Sequence, residues 1–250
     1  MKKITAIVLL LSFLICSVSL ADPLKLTDDF SGKIVVNYDE TDPSAGSFTF
    51  VYSYPCIDES EPDAYIVNSF YREQMDMDET NMLFFADGYS DAGVSAVKAI
   101  SYQITCNNDQ YFSVLMIQNL SVGNNDRTIW EGNTFSRKSG GLGTTFDLPL
   151  LLGILDDAEQ DEYLIERQSE KAADIVLEMI LKMIDENPEN LPYFDNITYE
   201  YLYDTVFPHE DFYLDDTGNP VFYVNPGIVA DESLGFLLFP VLLEDIVDEL

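Results

Sequence analysis

A chain of 250 residues with 47% apolar and 13% aromatic side chains is long enough to bury a core without help from metals or disulfide bridges. Its 45 acidic against 12 basic residues give a formal charge of −33, a field that repels nucleic acid and anionic lipid and attracts basic proteins or cations. The same acidity also serves solubility or adaptation to salt, so charge by itself leaves both roles open.

The opening MKKITAIVLLLSFLICSVSLA has Lys2 and Lys3, an apolar run from Ile4 to Leu20, and small residues at Ser19 and Ala21. This is the pattern of a secretory signal peptide over residues 1–21, cut before Asp22. The alternative is an uncleaved anchor, but Thr5, Ser12, Ser17 and Ser19 dilute the run. Ile15 stands before Cys16 where a lipoprotein needs a small residue. No later segment is apolar enough to span a bilayer, so the product is expected outside the cytoplasm, secreted or periplasmic, with no membrane span after cleavage. Losing Lys2 and Lys3 leaves ten basic residues against 45 acidic ones and a charge of −35. Residues 183–250 hold sixteen Asp or Glu and no Lys or Arg.

After a polar leader, 22–32, the segments KIVVNYDE and SFTFVYSYP alternate apolar with polar residues around the turn chemistry of TDPSAG, and predict a strand pair. Ser60-Glu61-Pro62-Asp63 then reads as a helix start, with Ile66, Val67, Phe70, Tyr71 and Met75 recurring at three and four. Residues 79–96 hold Gly88 and Gly93 and no firm period, and read as irregular or partly helical. AISYQITC and QYFSVLMIQNLSV flank Asn107-Asn108-Asp109 as a hairpin, and RTIWEGNTFSRK follows as a third strand. Short connections imply an antiparallel sheet.

The longest helix is expected near 157–186, capped by Asp156 with Glu159 and ended by Asn187-Pro188. Ile165, Ala172, Val176, Met179 and Met183 share one of its faces, the ordinary pattern of a helix on a sheet; a methionine-lined binding groove is the alternative. Farther on, FYLDDTGNPVFYVNPG places Asp215 and Asp216 between two aromatic runs. Phe212, Leu214, Val221 and Tyr223 have the period of strands and Asp216-Thr217-Gly218-Asn219 has turn chemistry, so the acids bend a hairpin. The fold class is α+β: a mainly antiparallel sheet packed against two or three helices.

Cys56 and Cys106 remain after cleavage, and an even count in an exported chain predicts one disulfide; two buried free thiols are the alternative. No residues stand out as catalytic. Adjacent Asp215 and Asp216 on a strand point to opposite faces. His209 is the only histidine, which argues against metal centres and serine hydrolases, and Gly88-Tyr89-Ser90-Asp91-Ala92-Gly93 misses the nucleophile-elbow spacing. Gly140-Gly141-Leu142-Gly143 lacks the lysine of a phosphate-binding loop. No cofactor is expected.

The order of pieces resembles a bacterial extracytoplasmic family, domain of unknown function 3298, often preceded by the smaller domain 4163. YSYPCI and VNSFYREQMD look like the leading domain, here 33–98. SYQITCNNDQYFSVLMIQNLSVG, NTFSRKSGGLGTTFDLPLL and DFYLDDTGNPVFYVNPGIVADESLGFLLFPVLLEDI look like the larger one, here 99–250. That family includes the sensor portion of lysozyme-responsive anti-sigma factors and a non-catalytic portion of some peptidoglycan deacetylases. The resemblance implies recognition outside the cell without chemistry: binding of a basic lysozyme-like protein, or of peptidoglycan, and no nucleic acid. It also implies that Tyr223, Asn225, Pro226, Gly227, Asp231 and Glu232 form the contact region, although Gly227 stands where the family commonly has tyrosine. Only Met1 to Lys3 precede the apolar run, so no cytoplasmic signalling portion is expected, and no deacetylase domain fits the length. The competing classes are a wall-glycan hydrolase built on two distant carboxylates and an acidic structural protein without a specific ligand.

Overall fold

The computed structural model describes residues 22–39, 41–62, 64–137, 145–154, 162–187 and 189–250. The expected signal peptide 1–21, the glycine-rich turn at 140–143, the helix caps Asp156 and Glu159, and Pro188 lie outside the described residues.

Alternating apolar residues build a five-stranded sheet in the order β1 (Leu26–Asn37), β2 (Ser47–Ile57), β3 (Ala96–Asn107), β4 (Tyr111–Val122), β5 (Asn125–Ser136). The expected strand pair is β1 and β2, antiparallel from Leu26↔Ile57 to Asn37↔Ser47, and β3, β4 and β5 follow as an antiparallel meander. The fold is α+β, as the pattern of elements implied. The leader 22–32 is less idle than its polarity suggests. Asn107 exchanges both amide hydrogen bonds with Leu24, at 2.8 and 2.9 Å, and β1 begins two residues later.

One pairing departs from the antiparallel expectation. β2 and β3 run parallel, Phe48↔Ala96 to Tyr52↔Ile100. The reason is α1 (Ala64–Asp91), which carries the chain back so that β3 starts at the same end as β2, the connection a parallel pair requires. At 28 residues α1 is also the longest described helix, whereas the expected 157–186 helix is described as α3 (Glu162–Glu186), 25 residues. Residues 79–91, read as irregular or partly helical from their glycine and weak period, are helical throughout because packing decides there. Met82 and Ala86 are buried against the sheet, and Tyr89 stacks on Phe48 with ring planes 12° apart.

The sheet has two unlike faces, set by the period of two. Phe48 and Phe50 of β2, Phe112 and Val114 of β4, and Phe135 of β5 pack with Val67 and Tyr71 of α1 in one core. Each fully buried phenylalanine contributes about 1.5–3 kcal/mol of transfer free energy. Two of its polar side chains are paired: Asn68 donates to and accepts from the Ile57 backbone at 2.8 Å, and the Tyr54 hydroxyl donates to Asp78 at 2.5 Å. Asp78 also holds the Lys98 ammonium.

Behind the other face sits a second core, formed by α2 (Leu148–Leu151), α3, α4 (Tyr199–Thr205), a three-stranded sheet of β6 (Phe212–Leu214), β7 (Pro220–Val224) and β8 (Leu237–Pro240), and α5 (Leu243–Glu249). Ala172, Val176 and Ile180 of α3 are fully buried there, while Met179 and Met183 are half-buried. β6 lies directly on β5: a Cβ on Gly132 would stand 1.7 Å from the Phe212 carbonyl oxygen, so only glycine permits this approach. Ser113 on β4 accepts the Leu214 amide at 3.0 Å and shares a 3.0 Å hydrogen bond with Thr134 on β5, fixing the register of the small sheet on the large one.

The expected disulfide is not formed in this structure. Cys56 and Cys106 are buried free thiols, and they belong to different cores. A bulge between Ile104 and Cys106 shifts the register of β3 on β4 and turns Cys106 to the face opposite that of Cys56.

Candidate functional site

Two aromatic segments, one from each sheet, meet at a single groove. Trp130 of β5 stacks on Phe236, with centroids 4.1 Å apart and planes 5° from parallel, and Tyr223 of β7 meets both edge-on at 5.7 and 6.0 Å. Above this stack opens a groove of about 800 Å³. Asp126, Arg127 and Trp130 of β5 line one side; Asn225, Pro226, Glu232 and Phe236 of the loop between β7 and β8 line the other, with Asp211 near the start of β6. Three carboxylates against one guanidinium make it acidic, on an apolar base.

The local sequence explains the loop. Gly227 has φ of 80°, a left-handed backbone that a side chain would strain, and this turns the chain out of β7 after Pro226. Asp231 then accepts from the Ser233 amide at 2.9 Å and its hydroxyl at 2.5 Å, capping a short 3-10 turn, Glu232–Leu234. Gly235, φ 71°, ends that turn and delivers Phe236 to Trp130.

Of the residues the resemblance implicated, Asn225, Pro226 and Glu232 line the groove. Gly227 and Asp231 shape its loop from exposed positions. Tyr223 is 2% exposed and lies beneath the groove, its hydroxyl donating to the Trp130 carbonyl at 3.3 Å, so it supports the site without presenting itself to a ligand. Sequence reasoning missed Asp126, Arg127, Trp130, Asp211 and Phe236. The one available signal was that Trp130 is the sole tryptophan, on a strand mostly polar along its exposed half.

Asp211 is the electrostatic oddity of the groove. Burial raises its carboxyl to about 6, a hydrogen bond with the Phe207 backbone opposes the rise, and the neighbouring Glu210 carboxylate adds to it. Burial first, and the Asp211 charge second, also push the Tyr223 phenol well above its ordinary range.

Asp215 has a structural part to play. The Asp215 carboxylate accepts from the Thr217 amide (2.9 Å), the Thr217 hydroxyl (2.6 Å) and the Asn219 amide (2.9 Å), while Gly218 takes φ of 89°: the Asp215-Asp216 pair bends the β6–β7 hairpin. His209 lines a smaller groove of about 370 Å³ with Glu131, Asp147 and Glu210. Among the described residues no group of three or more His, Cys, Asp or Glu could hold a metal ion, and no helix is long and apolar enough to cross a membrane.

Fold and groove together define an α+β protein whose two sheets meet at an acidic, aromatic-based cleft. Solved structures similar to the chain include two described as DUF3298 family proteins. One, from Bacteroides fragilis, has 15% identity and a TM-score of 0.45 over 90% of this chain and 94% of its own. The other, from Pseudomonas aeruginosa, has 12% identity and a TM-score of 0.48 over 91% of this chain and 94% of its own. No family model matches the sequence, and no curated protein does.

Proposed function

We propose that this is an extracytoplasmic recognition protein, secreted or periplasmic, whose groove between β5 and the β7–β8 loop docks a basic protein, a lysozyme-like muramidase in the first instance. In this reading residues 33–98 are a domain-4163-like leading portion and 99–250 a domain-3298-like portion, and the two share one sheet, since β3 (Ala96–Asn107) spans their boundary. One observation carries the proposal: the Trp130–Phe236 stack beside the carboxylates of Asp126, Asp211 and Glu232. Aromatic faces and acids in one cleft suit lysine or arginine side chains, held by charge at the rim and by cation–π contact at the base. The overall charge supports it by hastening encounter with a cationic partner. The test is titration calorimetry against a basic lysozyme at low and moderate salt, with lysis of cell walls followed in parallel. Heat that shrinks with salt, and slower lysis, are expected; absence of both removes the lysozyme form of the proposal. Binding to the wall itself instead appears as pelleting with purified peptidoglycan.

Asp211 favours one second reading. A groove carboxyl raised to about 6 by burial suits the general-acid role, one of the two carboxyl roles that a wall-glycan hydrolase needs. That reading expects turnover of peptidoglycan fragments that vanishes in Asp211→Asn, and no turnover by the wild type removes it.

A further inference from the structure

The residues of β5 that line the groove are consecutive, from Asp126 to Trp130. Successive residues of a strand face opposite sides, so a groove touching all of them does not lie on a face of the sheet. It follows the strand's edge. β5 is an outer strand of the five-stranded sheet, with β4 on one side only.

Hydrogen-bond parity fixes which backbone groups look into that edge. The N–H and C=O of one residue project to the same side of a strand, and the side alternates along the chain. The Phe146 amide donates to the Thr134 carbonyl across the outer edge, at 2.6 Å, so even-numbered residues of β5 direct their polar groups outward. The Tyr223 hydroxyl on the Trp130 carbonyl agrees with this parity. Toward its C-terminal end the edge is covered by the bridge Phe135↔Thr145 and by β6 against Gly132. Toward the hairpin tip, Asp126 and Thr128 direct both backbone groups, and Trp130 its N–H, into the groove, where among the described residues no backbone pairs with them. The opposite wall, Asn225 to Phe236, stands across from them at a spacing that leaves about 800 Å³.

We infer that the groove takes an extended, basic segment of the partner as an added strand on β5, paired through the main chain of Asp126, Thr128 and Trp130. This rests on the groove being the docking site and specifies what enters it. Main-chain pairing supplies affinity without regard to sequence, while alternate side chains of the segment point toward the Trp130–Phe236 stack and the Glu232 and Asp211 carboxylates. A second copy of this acidic chain is a poor occupant on charge alone. Nothing in NDRTIWEGNTFS blocks pairing: it holds no proline, and its edge-facing threonine and tryptophan are good strand formers.

The test uses the full chain and two probes: a synthetic peptide of alternating lysine and valine, and its twin carrying an N-methyl group on every backbone nitrogen, so that neither edge keeps a donor. The parent peptide is expected to bind and to slow hydrogen exchange at the Asp126, Thr128 and Trp130 amides. The twin, equal in charge and side chains but missing the donors, is expected to bind about tenfold or more weakly. Equal binding of the two peptides, protection confined to the 225–236 loop, or no binding of the parent overturns strand addition. Failure of the groove itself reads out separately, as a basic lysozyme whose affinity is untouched by Trp130→Ala.

Discussion

Trp130 and Phe236, 106 positions apart in the chain, stack at 4.1 Å with their planes 5° apart, and this contact ties the edge strand of the large sheet to the loop of the small one. Phe236→Ala removes the stack and frees the loop that Gly227 and Gly235 place. Both rings are part-exposed, so the expected loss is modest, about 1.5 kcal/mol in urea unfolding, with faster exchange of the 227–235 amides. Unchanged exchange in the loop contradicts the anchoring role.

Two glycines should respond to alanine with opposite signs. Gly132→Ala drives a methyl group into the Phe212 carbonyl oxygen at 1.7 Å, and backbone on backbone has no cheap way to yield. A loss of about 3 kcal/mol is expected, by separation of β6 from β5. Gly88→Ala, inside α1 with nothing within 4 Å of the new methyl, should instead stabilise by about 0.5–1 kcal/mol. Thermal or urea unfolding of the two variants checks both signs.

The contrast between those glycines also explains what could be read in the sequence. The alternating runs at 33–40, 47–55, 99–106 and 110–122 and the Asp215-to-Asn219 turn are local signals, and strands and hairpin form on them, although β1 begins at Leu26, well before its run. The parallel pairing of β2 with β3, and α1's last three turns through Gly88, depend on contacts made across the fold, and no window of sequence holds them. Three residues of the groove were reached through the family resemblance and not through local pattern. Asn225, Pro226 and Glu232 sit in one punctuated loop, whereas Asp126, Arg127 and Trp130 reach it only because β6 seats on Gly132. The disulfide failed on a single bulged residue, invisible to spacing arguments.

Asp211 predicts a pH signature. Its folded value, about 6, lies above the ordinary carboxylate value of 3.8. Below both values the group is protonated in either state and costs nothing. As pH rises through that interval the unfolded chain gives up the proton first, so the folded state binds more protons and stability falls, levelling off above about 6. Asp211→Asn should remove this fall. Discounted for the solvent that still reaches the group, the gain at neutral pH is on the order of 1 kcal/mol, and it vanishes near pH 4. Urea midpoints of wild type and variant across this range measure it; an equal difference at both ends contradicts the assignment.

The thiols give a chemical check on the two-core arrangement. Cys56 and Cys106 should resist a water-soluble thiol reagent in the native protein and react fully in denaturant, with no reductant needed. Burial also pushes the Cys106 thiol up to about 11, which keeps it in its unreactive protonated form at neutral pH. Recovery of the pair only after reduction contradicts the structure on this point.

The central claim is that the aromatic-based groove, and not the acidic surface at large, selects the partner. The direct measurement is calorimetric affinity for a basic lysozyme in wild type and Trp130→Ala at matched, moderate salt, with the variant's fold verified by its unfolding curve. The account predicts at least about a tenfold loss of affinity, roughly 1.4 kcal/mol, although the variant keeps every charge of the wild type. Equal affinities mean that charge alone recruits the ligand and that the groove has no part in it.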